Sequence, residues 1–219
     1  MNGRRAEAAR NDGRILDAAR EVFLADPSAP ISAVATRASV GMSALYRRYP
    51  SKDHLLQQLA RDGLERFAAD LATALADHGD PWTAYADCLH RVVEGRSQAL
   101  TQRLAGTFVP TPDLAVLARD TSARYVQLHE RTQHAGGLRA DVSPGDVVVL
   151  LEMLTVTAIP GPEQGAALRR RYLALMLQSL RAATAEPLPG SPPGADDLAA
   201  RWRRPPQPTP SRSTEPPRR

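Results

Sequence analysis

The stretch ISAVATRASVGMSALYRRYPSK, residues 31–52, sets the architecture of the chain. It reads as two short helices around a tight turn. The first runs from Ile31 or Ser32 to Ala38, with Pro30 tolerated at its first turn, where its missing N–H would have no partner anyway. Ser39-Val40-Gly41 is the turn. The second helix runs from about Met42 to Tyr49 and halts at Pro50. Ile31, Val34, Ala35, Ala38, Val40, Leu45 and Tyr49 supply a buried side, and the small Ala35 and Ala38 let the two helices cross closely. Met42, Ser43, Ala44, Arg47 and Arg48 are left exposed. Between Ile31 and Lys52 there are four basic residues and no acid. Such a helix fits the major groove of DNA, with its first-turn residues at base edges. On charge alone, a merely solvated basic face is equally allowed.

Upstream, a helix is expected from about Asp12 to Ala25. Ile15, Leu16, Ala19, Val22 and Phe23 fall on one face, Asp12 can cap the start, and Asp26-Pro27 ends it. Downstream, Ser51 is a plausible cap for a fourth helix, with Asp53 near its positive end.

The region from about Arg14 to Leu56 resembles the DNA-binding domain of the TetR family of repressors. ILDAAREVFLADP matches the first helix, ISAVATRASVG the second and its turn, and MSALYRRYPSKDHLL the recognition helix and the start of the fourth. The resemblance implies that Met42, Ser43 and Ala44 touch bases. It implies that Tyr46 and Lys52 meet phosphate, that Arg47 and Arg48 reach phosphate or base, and that Ser32 adds a flanking contact. Packing of Tyr46 on the first helix is the structural alternative. Two positions depart from the family pattern. Ser39 stands where glycine is common, and Gly41 stands where a capping serine is common.

Beyond this region the pattern stays helical. Expected helices cover Lys52–His78, Pro81 to about Leu104, about Asp113–His134, Pro144 to about Ala158 and about Glu163–Ala183. Val147–Val156 is apolar nearly all round and must be buried on most sides. With Leu168–Leu180 it forms a helical hairpin whose surplus apolar face suits a second copy of the chain, the alternative being an intrachain core. The expected fold is all-α: an N-terminal three-helix helix-turn-helix domain followed by a helical-bundle regulatory and dimerisation domain. The expected division is a flexible arm at 1–11, the DNA-binding domain at 12–56, a ligand-sensing and dimerisation domain at 57–185, and a Pro/Arg-rich disordered tail at 186–219. That tail holds ten of the nineteen prolines. The resemblance implies a palindromic DNA operator, a homodimer and a small-molecule effector bound among the middle helices. Trp82, Tyr85, Cys88, Phe108, Tyr125 and Met153 are the effector-site candidates, plain core packing being the alternative for each.

Composition excludes several other classes. Cys88 is the only cysteine, so no intrachain disulfide and no cysteine-based metal site is expected. The first residues lack an apolar signal region, and no apolar run reaches the length of a membrane span, so a cytoplasmic protein is expected. His129-Glu130…His134 is not a zinc motif, since histidines five apart do not share a helix face. No phosphate loop or nucleophile elbow is present, so neither catalysis nor a cofactor is expected. A helical interaction module without specific DNA binding is the main rival reading, with a helical enzyme behind it.

Overall fold

The computed structural model describes residues 2–95, 100, 104, 106–156, 162–181 and 186–200. It contains α1 (Asn2–Ala25), α2 (Ile31–Ala38), α3 (Met42–Arg48), α4 (Lys52–Ala76), α5 (Pro81–Gly95), α6 (Pro112–His134), α7 (Pro144–Val156), α8 (Pro162–Leu180) and α9 (Ala195–Ala200). Among the described residues, extended pairing is limited to an isolated bridge between Leu138 and Arg181.

Capping chemistry accounts for several boundaries. Thr111 Oγ1 accepts the Leu114 N–H at the start of α6, and Ser51 Oγ accepts the His54 N–H at the start of α4. Ser143 and Asp146 exchange hydrogen bonds at the start of α7, each side chain accepting from the other's N–H. At the far end of α4, the Arg131 guanidinium reaches across from α6 and donates to the Ala74, Leu75 and Asp77 carbonyls at 2.8, 3.0 and 3.2 Å. Those are acceptors a helix terminus leaves unpaired.

Two segments expected to lack structure depart from the sequence reading. α1 begins at Asn2, so the segment expected as a free arm continues the helix, and Asp12 lies inside it instead of capping it. The segment expected as a disordered tail is partly ordered, because residues near α7 hold it. Arg139 donates to the Glu186 carbonyl at 2.9 Å, Asp141 accepts the Leu188 N–H at 3.0 Å, and Pro193 lies against Gly145. Residues 201–219, the remainder of that expected tail, lie outside the described residues.

The side chains bury into two cores. The first joins Ile15, Phe23, Val34, Leu45, Leu55 and Leu59 to Leu100, Leu104, Phe108 and Leu114. The second joins Phe67, Leu71, Trp82, Tyr85, Tyr125, Val147, Leu151 and Leu173. α4 runs through both, so the division by core falls within that helix, between Ala60 and Phe67.

Three buried polar side chains of the second core form a hydrogen-bonded chain. His129 is fully buried, with Nε2 at 2.9 Å from the Val142 carbonyl and Nδ1 at 3.2 Å from the Tyr85 hydroxyl. A carbonyl only accepts, so Nε2 carries the proton and the neutral ring accepts from Tyr85. The Tyr125 hydroxyl, 3.1 Å from that of Tyr85, completes the chain as a donor. Burial holds the His129 pKa below its ordinary 6.5, against the opposing pull of the Val142 carbonyl.

Two outcomes follow. Ser39 closes α2 at φ 54°, in the left-handed region that costs an L side chain roughly 1 kcal/mol, so Ser39→Gly is expected to stabilise the protein by about that much in urea unfolding. Below pH 6.5 the unfolded His129 takes up a proton that the buried ring refuses, so this residue's contribution to stability falls as pH drops. Between about pH 7.5 and about pH 5.5 the wild-type urea midpoint should fall further than that of His129→Gln.

Candidate functional site

α3 is seven residues long and is held on one side only. Leu45 is fully buried in the first core and Tyr49 nearly so. The opposite side carries Met42, Ser43, Tyr46 and Arg47, all exposed, with Ala44 half-buried between them. Tyr46 keeps 46% of its surface in contact with solvent. Gly41 precedes the helix with extended backbone and offers no side-chain cap. Its carbonyl takes the Ala44 and Leu45 N–H groups instead. Ser32 is exposed on the first turn of α2.

The neighbouring cations are engaged inside the protein. Arg48 forms a two-pronged pair with Asp12, Nε to Oδ1 at 2.7 Å and Nη2 to Oδ2 at 2.8 Å. The Tyr49 hydroxyl donates to the same carboxylate at 2.7 Å. The Arg48 hydrogen bonds hold the Asp12 pKa below its ordinary value, while burial, and then Asp12 itself, push the Tyr49 phenol up. Lys52 turns away from the exposed face of α3. Its Nζ donates to the carbonyls of Pro27, Ser28 and Ala29 at 3.2, 3.2 and 2.7 Å, and sits 5.1 Å from the Phe23 ring centre. That uses all three ammonium donors, and burial lowers the group's pKa. Arg14 donates to the Ala38 carbonyl at 2.7 Å, and Arg37 pairs with Glu21.

Among the described cations of residues 12–60, Arg47 alone has no hydrogen bond or ion pair within the chain. The sequence reading missed the Asp12 role. Asp12 and Arg48 lie 36 positions apart, and no local pattern links them.

The effector-site candidates separate. Trp82, Tyr85, Cys88 and Tyr125 gather in the second core, where Tyr85 stacks on Tyr125 at 6.5 Å and lies 6.2 Å from Trp82. Burial pushes the Cys88 thiol up to about 12, so it behaves as a small apolar group. Phe108 belongs to the other core, since the segment leading into α6 folds back onto the head formed by α1–α3. Met153 is 63% exposed, on the outer side of α7. His129, not a candidate from sequence, joins Tyr85 and Tyr125 instead. Beside it lies an open cavity of about 390 Å³ lined by Glu130, Gln133, Asp141, Val142, Ser143 and Pro192. Among the described residues, no group of three His, Cys, Asp or Glu side chains is placed to hold a metal ion. No described helix is long and apolar enough to cross a membrane.

Comparison with known proteins agrees with this layout. Residues 15–59 match the family described as bacterial regulatory proteins, tetR family, and residues 80–182 match the SbtR-like transcriptional regulator C-terminal domain. Over 83 residues the chain is 39% identical to the HTH-type transcriptional repressor LfrR of Mycolicibacterium smegmatis, a match spanning 37% of this chain and 41% of that relative's length. Similar solved structures include LfrR from Mycobacterium smegmatis in complex with proflavine, at 22% identity and TM-score 0.57, covering 82% of this chain and 99% of that one. The TetR transcriptional regulator SCO0520 from Streptomyces coelicolor superposes at 24% identity and TM-score 0.53, covering 79% and 99%. The TetR family regulator PfmR from Thermus thermophilus does so at 18% and 0.58, covering 75% and 97%. These structural likenesses show the shared fold, and the two family matches fall in turn on α1–α4 and on α5–α8. The chain belongs to the TetR family of bacterial transcriptional regulators, with a helix-turn-helix DNA-binding head followed by a helical regulatory domain.

Proposed function

We propose that this regulator is a cytoplasmic repressor that binds a palindromic operator as a homodimer and releases it when a small molecule enters the second core. One observation carries the reading. α3 turns Met42, Ser43, Tyr46 and Arg47 to solvent, and Arg47 is an unpaired cation on a helix with no acid. In this reading Arg47 and the Tyr46 hydroxyl meet phosphate or base edges, and Met42 and Ala44 touch apolar groups such as a thymine methyl. Ser43 faces a base edge, and Ser32 reaches a flanking phosphate. So few hydrogen-bonding side chains leave much of the sequence choice to DNA shape. Arg48 and Lys52 serve the head from inside. The chain itself catalyses nothing and needs no cofactor in this reading.

The second half supports the dimer and the effector. Tyr172 and Leu175 of α8 and Met153 of α7 are large apolar side chains on the surface of two packed helices, a face that a twofold copy would bury. The copy must also set the two α3 helices about 34–36 Å apart to reach successive major grooves. Trp82, Tyr85 and Tyr125, with Cys88 in the same core, form the buried aromatic cluster that an effector would contact in this reading, and the relative LfrR is a repressor whose structure holds proflavine. Coupling runs along α4 and through the segment before α6. Gln57 donates to the Val109 carbonyl at 2.9 Å and Arg61 pairs with Asp113, so a shift of α6 pulls on the head.

Selection of bound DNA from a random pool tests the whole reading. A palindromic site bound saturably by a dimer is expected, and enrichment of no sequence, or light scattering of a monomer at micromolar concentration, would sink it. On the selected site Arg47→Ala should weaken binding about tenfold and flatten the log–log salt dependence by about 0.9 per head. Lys52→Ala should behave differently. It destabilises the head by about 1–2 kcal/mol in urea unfolding while leaving the salt slope in place, because its ammonium bonds carbonyls.

A further inference from the structure

We infer that Asp12 is a positioning residue for DNA recognition: it fixes the C-terminal end of α3 and keeps Arg48 off the nucleic acid, so that Arg47 alone supplies the helix's charge to the operator. The inference rests on the DNA-binding reading above. The geometry is specific. Both carboxylate oxygens of Asp12 are engaged by the Arg48 fork, and a third donor, the Tyr49 hydroxyl, shares Oδ1. The Arg48 guanidinium also lies 5.1 Å from the Tyr49 ring centre, so the two side chains form one unit with the acid. Paired forks of this kind are directional as well as strong. They matter here because the other end of α3 has no side-chain cap. Without Asp12 the helix keeps Leu45 and the Tyr49 ring as its hold on the head.

Arg48 is more than half exposed despite the pair. Removing the acid therefore releases a cation at the edge of the DNA-facing surface, free to find any phosphate. A phosphate contact adds affinity for every sequence and none for a particular one. Loss of Asp12 should consequently raise nonspecific binding and blunt discrimination. Simple destabilisation of the head predicts the reverse, a fall in all binding.

The test measures full-length protein on the selected operator and on random duplex DNA across a salt series. Asp12→Ala should steepen the salt slope on random DNA by about 0.9 per bound head and lower the operator-to-random affinity ratio. Adding Arg48→Ala to that variant should return the slope to the wild-type value. Asp12→Asn keeps the shape and an acceptor while removing the charge. It should move both readouts in the same direction, and it decides the matter alone if circular dichroism shows the alanine variant unfolded. An unchanged slope in the folded variant, or Arg48→Ala in the wild-type background flattening the slope as much as Arg47→Ala, overturns the inference while leaving operator binding intact. A wild-type protein that selects no operator overturns the DNA-binding reading, and this inference falls with it.

Discussion

A helix of seven residues has no stability of its own in water, because the dihedrals fixed in nucleation are repaid only over many further turns. α3 therefore exists only because the surrounding head holds it. Leu45 enters the core beside Val34 and Ala35, Tyr49 closes the C-terminal end, and the Asp12 carboxylate ties that end to α1. Lys52 adds a restraint from just beyond, gathering three carbonyls of the α1–α2 connection. The consequence is a division of labour around one short helix. Leu45 and Tyr49 point inward for packing, Arg48 is tied to Asp12 at the edge, and Met42, Ser43, Tyr46 and Arg47 point outward.

That division explains which parts were legible in the sequence. α2 and α3 came through almost to the residue, because their signals are local: Pro30 and Pro50 as punctuation, Leu45 and Tyr49 at helical spacing, and Ser51 as cap. The left-handed Ser39 was visible as a departure from glycine, and the backbone there takes that conformation. Pairings that cross the fold left no local trace. Asp12 reads as a helix cap by residue type, and only the tertiary fold brings the end of α3 within reach of it. Lys52 reads as a phosphate ligand by position, yet its reach back to Ala29 depends on the path of the α1–α2 connection. Among the effector-site candidates, aromatic content alone could not separate Phe108 from Tyr125. The turn before α6 sends the first to the head and leaves the second in the regulatory core.

The same turn gives the molecule its internal wiring. Leu100, Leu104, Phe108 and Leu114 belong to the regulatory half by chain position and to the head by packing. Two lines of packing thus join the second core to the head. One is the body of α4, which is buried first in one core and then in the other. The other is the stretch from Val109 into the first turn of α6, where the Val109 carbonyl accepts from Gln57 and Asp113 pairs with Arg61. Close-packed interiors pass small displacements along because they have few voids in which to absorb them. The buried Tyr125–Tyr85–His129 chain stiffens the far end of this path, since moving any one of its members leaves a polar group unpaired.

Charge shows most plainly why counting residues overstates function. The first sixty residues carry a net +3, which suggests a generally basic head. Side chain by side chain, much of that charge is spent within the protein. Arg20 lies between Asp17 and Asp62, Arg37 pairs with Glu21, Arg48 with Asp12, and Arg14 and Lys52 cap backbone carbonyls. Among the described cations of residues 12–60, Arg47 remains, standing outward on the helix that the motif marks. A single uncommitted arginine is a weak attractor for random DNA, whose affinity grows with each phosphate neutralised. It contributes most where shape and neighbouring contacts bring one phosphate or one base to it. In the proposed reading, keeping the other described cations occupied favours discrimination over raw affinity, and it does so through the ion pairs that hold the head together.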